Sequence, residues 1–350
     1  MTQLFTTQDQ RVGTIKGEVL KYALPKLCLD VGCSHFTMDQ NMGDTIIYGR
    51  WVPTGGTAGA VANNIDPSNT WSVTASDYES QEGVTPAAQN LTRKDITVKM
   101  KKYTALYGYT DKAARLYEDK LPPAMKKMAG QTMGLVSEKV KMGAFRGSTN
   151  KRYAGGTSRA TVDEPITNNS VSLIIRDMMN NRANQFTEVI SSSPNYDTSA
   201  IEASFLFFGH TDLAYDIRQL PDFTPVAKYG SMKTVHPLEI GAVPGLRFIL
   251  TPEMDIVADS GAAVGTTGLK STGASNINVY PCLVMAEDAA ADLALRGLDS
   301  MEVIDVPVDR EDKSDPTRSR GYIGVNWWGA AFVQNDGWLE VFECGASSLV

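Results

Sequence analysis

Three residues near the N-terminus are of types that bind metal ions. Cys28, Cys33 and His35 lie close together in the chain. A structural zinc site normally has four ligands and a tightly spaced C-x2-C pair, and this segment has neither. We therefore predict that the thiols are small buried side chains and that no metal binds. Cys282 and Cys344 stand alone, and such scattered cysteines favour a reducing compartment over a disulfide framework.

Two glycine-rich segments have the composition of phosphate-binding loops. Gly55–Gly59 (GGTAG) lacks the G-x-G-x-x-G spacing of a dinucleotide site, and no helix pattern follows it. In Gly265–Ser271 (GTTGLKS) the lysine comes one residue too late for a phosphate loop, and again no helix follows. Neither segment predicts a cofactor, and we assign none.

Nucleophilic catalysis has one weak candidate. Asp259-Ser260-Gly261 resembles a fragment of serine proteases, and His210 or His236 would have to act as its base. The chain has only 3 histidines, and none lies in a recognisable catalytic motif. Carboxylates are plentiful, but nothing singles out a catalytic pair. We predict that the protein is not an enzyme and assign no catalytic residue.

Length and composition describe an ordinary globular protein. The 350 residues are 42% hydrophobic and 21% charged, enough for about two domains or one elaborate domain. The net charge of -7 argues against a dedicated nucleic-acid binder, which usually has a strongly basic balance. The polar N-terminus predicts no secretory signal, and no apolar run is long enough to span a membrane. We expect a soluble, cytoplasmic chain that does not associate with membranes.

The charges are unevenly distributed. Residues 93–159 contain 16 Lys and Arg but 5 Asp and Glu, a balance of +11, so the other residues together carry -18. Such a basic segment is either a solvated face or the contact for an anionic partner, which could be packaged nucleic acid or an acidic edge of a neighbouring copy. The candidate basic strip, facing DNA or another subunit, consists of Lys99, Lys101, Lys126, Lys127 and Lys141.

The elements that carry this strip begin after a polar segment, 1–43, in which a helix is predicted around Gly17–Leu27. Asp44–Val52 is rich in β-branched and aromatic residues, and Asp95–Tyr109 alternates apolar with polar residues, so both predict strands. Between them, 54–91 is a long loop of small and polar residues. We interpret the whole as an outsized β-arm with no core of its own, which a neighbouring subunit must order.

Helices are predicted at Thr110–Lys120 and Pro123–Arg146, the second ending at Gly147. One face of the long helix is expected to pack in a core, and the opposite face, with Glu138 and the three helix lysines of the strip, to be solvated. The expected core residues are Met125, Met128, Ala129, Thr132, Val136 and Val140.

Residues 165–290 predict a mixed α/β unit. Helices are expected after Ser170, from Thr211 to Gln219 and from Asp288 to Leu295. Strands are predicted at Phe205–Phe208, Leu246–Leu250 and Asn278–Met285. Two further strands, Tyr322–Phe332 and Trp338–Phe342, flank Asn335-Asp336-Gly337, which is typical of a hairpin turn.

The order of several short motifs resembles a known family. Over about residues 25–345 the chain is similar to the major capsid proteins of the coat-protein family typified by the phage N-four. The weight lies in the order and spacing of the motifs, since none is specific alone. They are Gly43–Ile47, Glu82–Pro86, Tyr107–Asp111, Phe208–His210, His236–Gly241 and Asp315–Gly321.

The resemblance implies an α+β, HK-97-like phage capsid fold with an N-terminal arm, an extended β-hairpin loop, a long spine helix, a peripheral domain and an α/β axial domain. The implied division is an arm at 1–43, the extended loop at 44–109, the spine helix and first part of the peripheral domain at 110–164, the axial domain at 165–290, and the C-terminal part of the peripheral domain at 291–350.

The resemblance also implies a function. The chain would be a major capsid protein that forms pentamers and hexamers of an icosahedral head shell around double-stranded DNA, in the virion, after synthesis and assembly in the host bacterial cytoplasm. Portal, scaffolding and decoration proteins are further partners of such shells. Two alternatives stay open: an encapsulin-like compartment around cargo enzymes, and a soluble cytoplasmic hydrolase with a mobile lid at 54–91.

Overall fold

The computed structural model describes residues 2–3, 24–57, 59, 61, 63–80, 82–85, 88–116, 121–190, 198–230, 233–265, 268–298, 301–308 and 317–349. Most of the predicted N-terminal arm, including the start of the helix expected around Gly17–Leu27, lies outside these ranges, as do Thr266, Thr267, Asp315 and Pro316. Within the ranges, no helix is both long enough and apolar enough to cross a membrane.

The described residues form three β-sheets and four α-helices. The strands are β1 (Thr2–Gln3), β2 (Cys33–Met38), β3 (Thr45–Val52), β4 (Thr92–Lys99), β5 (Lys101–Thr110), β6 (Lys151–Tyr153), β7 (Phe186–Ile190), β8 (Thr198–His210), β9 (Thr224–Pro225), β10 (Glu239–Val243), β11 (Leu246–Thr251), β12 (Tyr280–Met285), β13 (Ala290–Leu295), β14 (Glu302–Val306), β15 (Arg320–Val333) and β16 (Leu339–Cys344). The helices are α1 (Asp111–Leu116), α2 (Leu121–Phe145), α3 (Asn168–Asn180) and α4 (Ala214–Arg218).

The first sheet is built around the long strand β15 and has the order β1-β5-β15-β13-β2, with β14 also paired to β15. Helix α2 packs across one face, where Ala129 and Met133 meet Val325 and Trp327. The long helix predicted at Pro123–Arg146 is therefore confirmed. It lies on a sheet whose main strand comes nearly two hundred residues later in the chain.

The second sheet holds the largest core and has the order β6-β16-β12-β8-β11-β10-β9, with β7 on β8. Every residue of β11, β12 and β16 is buried, as are Phe205–Phe208 in β8. The strands predicted at Phe205–Phe208, Leu246–Leu250 and Asn278–Met285 are confirmed by β8, β11 and β12. Helix α3 contributes Val171, Ile174 and Met178 to the same core. Its N-cap is Thr167, and the predicted cap Ser170 instead completes a capping box with it.

The third sheet is the hairpin of the β-arm. Strands β3 and β4 pair antiparallel from Thr45 with Lys99 to Val52 with Thr92. The chain then leaves the hairpin and enters β5, which pairs with β15. The single strand predicted at Asp95–Tyr109 is therefore two strands in different sheets, and the paired arm is shorter than expected.

The base of the arm also has a core within its own subunit, contrary to prediction. Ile46, Tyr48, Ile96 and Val98 cover the face of the first sheet opposite α2. The Tyr48 ring stacks on the ring of Phe332, with centroids 5.3 Å apart. Alternation of apolar side chains gives each hairpin strand one face for this contact.

Two local predictions in the C-terminal half are wrong. Asp288–Leu295 is not a helix: Ala290–Leu295 is strand β13, paired on one side with β15 and on the other with β2. Its alanines favour a helix locally, and pairing with two neighbours overrides that preference. Asn335-Asp336-Gly337 does form a tight turn, but β15 and β16 on either side belong to different sheets, so there is no hairpin.

The solvated face predicted for α2 is wrong in its C-terminal half. Glu138 and Lys141 are buried, while Met128 and Thr132, expected in the core, are exposed. The cause is the segment 24–38, which crosses the helix at this point. Backbone N–H groups of Cys28 and Leu29 donate to Glu138.

Candidate functional site

The residues of metal-binding type do not form one ligand set. Cys28 is buried, and the Cys33 thiol donates to the Leu29 carbonyl at 3.1 Å. His35 instead pairs with Asp292, Nδ1 to Oδ1 at 2.6 Å. One oxygen each of Asp30 and Asp292 and one His35 nitrogen lie within 4.8 Å of one another.

A lysine ammonium already occupies the centre of this acidic group. Lys141 Nζ contacts Asp30 and lies 3.2 Å from Asp292 Oδ2. Burial alone would lower the pKa of Lys141, but the charges of Asp30 and Asp292 raise it overall. The hydrogen bond to Asp292 raises the pKa of His35. The group is a network of ion pairs and hydrogen bonds that joins β2, β13 and α2.

The candidate nucleophile and bases are engaged elsewhere. Ser260 Oγ donates to the Val257 carbonyl at 3.0 Å. His210 Nδ1 accepts from the backbone N–H of Asp212 at 3.0 Å, and His236 Nδ1 accepts from Leu238 at 3.1 Å. Burial lowers the pKa of both histidines. Each ring therefore caps a local turn through its Nδ1 atom.

The five lysines of the basic strip are not all on the surface. Lys141 is buried in the ion network, so its place in the strip is wrong. Lys99 is exposed beside Asp44, with Nζ 3.0 Å from Oδ2, and Lys126 pairs with Asp305 at 2.5 Å. Lys101 and Lys127 are exposed.

The remaining lysines fall into two groups. Lys99 and Lys101 lie where the hairpin meets β5. Lys126 and Lys127 lie near the other end of β5, where Met125 packs in the cluster that contains Tyr109. The four lysines are therefore divided between the junction of the hairpin with β5 and the start of α2.

The β-arm carries a surface that the sequence reasoning did not single out. Residues 51–92 contain no Lys or Arg, although they include four acidic residues. Large exposed apolar side chains are concentrated on the arm and at its base, and such concentrations mark protein contacts. They are Met42, Ile47, Trp51, Trp71, Val73, Tyr78, Val84 and Leu91. The missing cations beside aromatic residues were the available signal.

Comparison with known proteins gives one similar curated sequence. No family model matches the chain. A protein named major capsid protein, from Pseudomonas phage KPP21, is 23% identical over 211 residues, which are 55% of this chain and 52% of that protein. The match thus spans about half the length of the curated relative.

Solved structures match over nearly the whole chain. The capsid of Ralstonia phage GP4 covers 100% of both chains with a TM-score of 0.63 and 9% identity. The capsid of cyanophage Pam1 covers 99% of both chains with a TM-score of 0.60 and 12% identity. The capsid of cyanophage P-SCSP1u covers 96% of this chain and 93% of its own, with a TM-score of 0.59 and 12% identity. The predicted α+β, HK-97-like capsid fold is confirmed.

Proposed function

We propose that this chain is a major capsid protein, the repeating subunit of a tailed-phage head shell. The observation that carries the proposal is the end-to-end likeness to a phage capsid chain, which covers 100% of both chains. The name of the curated relative agrees with it. The subunit would act by binding copies of itself rather than by catalysis, and the hydrogen bonds that engage His210, His236 and Ser260 support this view.

Within this proposal the elements have distinct roles. Helix α2 is the spine helix and the first sheet belongs to the peripheral domain, made from 110–164 and 291–350 together with β5. The second sheet forms most of the axial domain, 165–290, and it also contains β6 and β16, which lie outside those bounds. Because β5 pairs with β15 over its whole length, we draw the extended loop from 44 to about Met100 rather than to Tyr109.

The proposed subunit contact joins the arm to a second copy. The loop of the β-arm, between β3 and β4, has apolar and acidic side chains and no Lys or Arg between Arg50 and Arg93. The segment 93–159 carries a balance of +11, so its exposed lysines suit an acidic partner. Complementary charge of this kind guides the orientation and rate of association.

The interior of the shell would enclose double-stranded DNA, which the protein would touch without sequence preference. Lys126 and Lys127 at the start of α2 are the candidate contacts. Portal, scaffolding and decoration proteins are further proposed partners, and assembly in the host cytoplasm followed by residence in the virion is the proposed course. An encapsulin-like shell around enzymes would use the same fold, and the particle contents distinguish the two.

Electron microscopy of the purified full chain tests the proposal directly. We expect closed icosahedral particles, and nucleic acid inside particles taken from infected cells. A cargo enzyme in place of DNA would favour the encapsulin-like alternative. A chain that stays monomeric under all assembly conditions and turns over a hydrolase substrate would contradict the proposal.

A further inference from the structure

One short segment of the arm loop is buried in its own subunit. Asp66, Ser68 and Asn69 are 0%, 1% and 8% exposed. The loop that follows is different, because every residue from Trp71 to Ser80 is exposed. The arm therefore has a second attachment, separate from the apolar contact at its base.

The buried segment binds the C-terminal end of α3. The Asp66 N–H donates to Asn181 Oδ1 at 2.8 Å, and Asn181 Nδ2 donates to the Asn64 carbonyl at 2.8 Å. Arg182 Nη1 donates to the Asn69 carbonyl at 2.7 Å. Side chains of the axial part thus bind the backbone of the arm, which fixes its path and its register.

A second group of contacts comes from the turn between β15 and β16. Asn69 and Asn335 exchange hydrogen bonds, Nδ2 to Oδ1 in both directions, at 2.9 and 3.0 Å. Beside them, Gly337 allows the closest approach. A Cβ atom there would lie 2.6 Å from Asn69 Nδ2 and 2.8 Å from Asp66 Cβ. The contact between Gly337 and residues 66–69 therefore leaves no room for a side chain at Gly337.

The segment is also tied back to the hairpin. Arg50 of β3 donates from Nη2 to Ser68 Oγ at 2.7 Å and from Nη1 to Asn69 Oδ1 at 3.2 Å. Asp66 accepts from the backbone and the hydroxyl of Ser68, at 2.9 and 2.6 Å. A movement of the hairpin would therefore disturb the hydrogen bonds between residues 63–69 and the end of α3.

Left-handed backbone occurs where residues 63–69 meet the end of α3; asparagine adopts it readily, so the strained position is Arg182. Asn63 and Asn64 have φ of 52° and 62°, and Arg182 has φ of 55°. The position just after a helix usually carries glycine when it takes this conformation. Arginine at that position keeps the hydrogen bond to the Asn69 carbonyl, which a glycine could not make. Strained residues persist where the surrounding contacts over-determine them.

We propose that residues 63–69 are an intrasubunit latch that sets the direction of the arm before a neighbouring subunit binds. The latch divides the loop of the β-arm into a part fixed by its own subunit and a distal part, after Asn69, that is available to the neighbour. Directional hydrogen bonds permit one register of the loop, whereas an apolar contact would tolerate sliding. Only the effect on assembly rests on the proposed function.

Hydrogen exchange on unassembled subunits tests the latch without any shell. In the wild type the Asp66 amide should be protected, unlike the amide of the exposed residue Val73. Gly337→Ala should speed exchange at Asp66 by about tenfold or more. The added Cβ would push Asn69 and Asp66 away, so the hydrogen bonds that protect the amide would already be broken. Gly143→Ala is the control, since no atom lies within 4 Å of a Cβ at that position. Rapid exchange at Asp66 in the wild type would refute the latch.

Two milder variants guard against general misfolding. Asn335→Asp keeps the acceptor that the Gly337 N–H uses and removes the donor to Asn69 Oδ1. Arg182→Gly relieves the backbone strain and removes the bond to Asn69. Both should speed Asp66 exchange while the amides of β11 stay protected. If neither variant changes exchange at Asp66, the latch is wrong.

Assembly gives the second readout. If the wild type forms shells, the released variants should give fewer closed particles and a broader range of sizes, because the arm approaches its neighbour from many directions. Normal yield and size with a released latch would refute its role in assembly. A wild type that forms no shells refutes the proposed function instead, and the exchange experiment then still decides on the latch.

Discussion

At the scale of single residues, Glu340 is a buried acid whose surroundings change its pKa. Its side chain is fully buried on β16, and Oε1 accepts from Arg152 Nε at 2.6 Å. Burial raises the pKa of Glu340 to about 7, although Arg152 opposes the shift and Asp177 adds to it. The folded state thus favours the protonated acid. Its contribution to stability is complete below the ordinary glutamate pKa and is lost as the pH rises through about 7.

Glu340→Gln should remove this pH dependence. The wild-type subunit is expected to lose stability between pH 5 and pH 8 by an amount on the order of 3 kcal/mol from this group. The glutamine variant should lose much less and should exceed the wild type at pH 8. Urea unfolding of both proteins at the two pH values measures the difference. Glu79→Gln on the exposed loop is the control, and an unchanged pH dependence in Glu340→Gln would contradict the assignment.

Lys141 shows what the sequence could not reveal at this scale. The helix pattern correctly places Lys141 and Glu138 on the face of α2 opposite the expected core residues. If only the core face were covered, this opposite face would be solvated. Their partners, Asp30, Asp292 and the Cys28 backbone, are over 100 residues away in the chain. Local periodicity carries no information on such contacts. For this reason the sequence wrongly places Lys141 in an exposed basic strip.

At the scale of elements, long regular segments were predictable and their partners were not. Helix α2, the hairpin strands and the buried strands of the second sheet follow from periodicity and composition. The division of one predicted strand into β4 and β5 does not, because the same alternation suits both the hairpin and the pairing with β15. Strand β13 is similar: its alanines read locally as helix, and only β2 and β15 on either side make it a strand.

The attachment of segment 24–38 to α2 gives a prediction at this scale. Glu138 Oε1 accepts from the N–H groups of Cys28 and Leu29 at 2.7 and 2.9 Å. Glu138→Ala leaves both donors buried without this acceptor, which should cost about 1–3 kcal/mol per group. Glu138→Gln keeps an acceptor oxygen and should recover part of the loss. Urea unfolding and limited proteolysis near Leu24 measure the effect, and equal stability of wild type and alanine variant would refute it.

At the scale of the whole molecule, charge is separated between parts of the chain. The two lysines at the start of α2 test what the basic part meets. We expect Lys126→Gln with Lys127→Gln to leave the yield of empty shells unchanged and to weaken retention of DNA. The loss of DNA retention should become smaller as the salt concentration rises, because phosphate contacts release counterions. Lys126 also pairs with Asp305, so Asp305→Asn is the control for loss of that pair.

The opposite order of failure distinguishes the competing role. If these lysines bridge to an acidic neighbour, empty shells of the double variant should fail to form before any DNA is packaged. Shell yield and DNA content at low and high salt separate the two roles. No change in either quantity would mean that the two lysines are only a solvated face.

Exposed apolar side chains on the β-arm beyond the latch suit a contact with a second subunit. Trp71, Val73 and Tyr78 lie beyond the latch and are 55%, 54% and 50% exposed. Changing all three to serine should leave the unfolding free energy of the subunit within about 0.5 kcal/mol per site, because exposed positions contribute little to stability. Shell formation should nevertheless be lost, since the neighbour would no longer gain their burial. Met179→Ser, at a side chain of equal exposure on α3, is the matched control. Particle yield by light scattering, together with urea unfolding of the subunit, measures both effects. Normal shells from the triple variant would show that the arm beyond the latch is not the subunit contact, whereas equal losses from Met179→Ser would show that the arm is no more important than other exposed apolar positions.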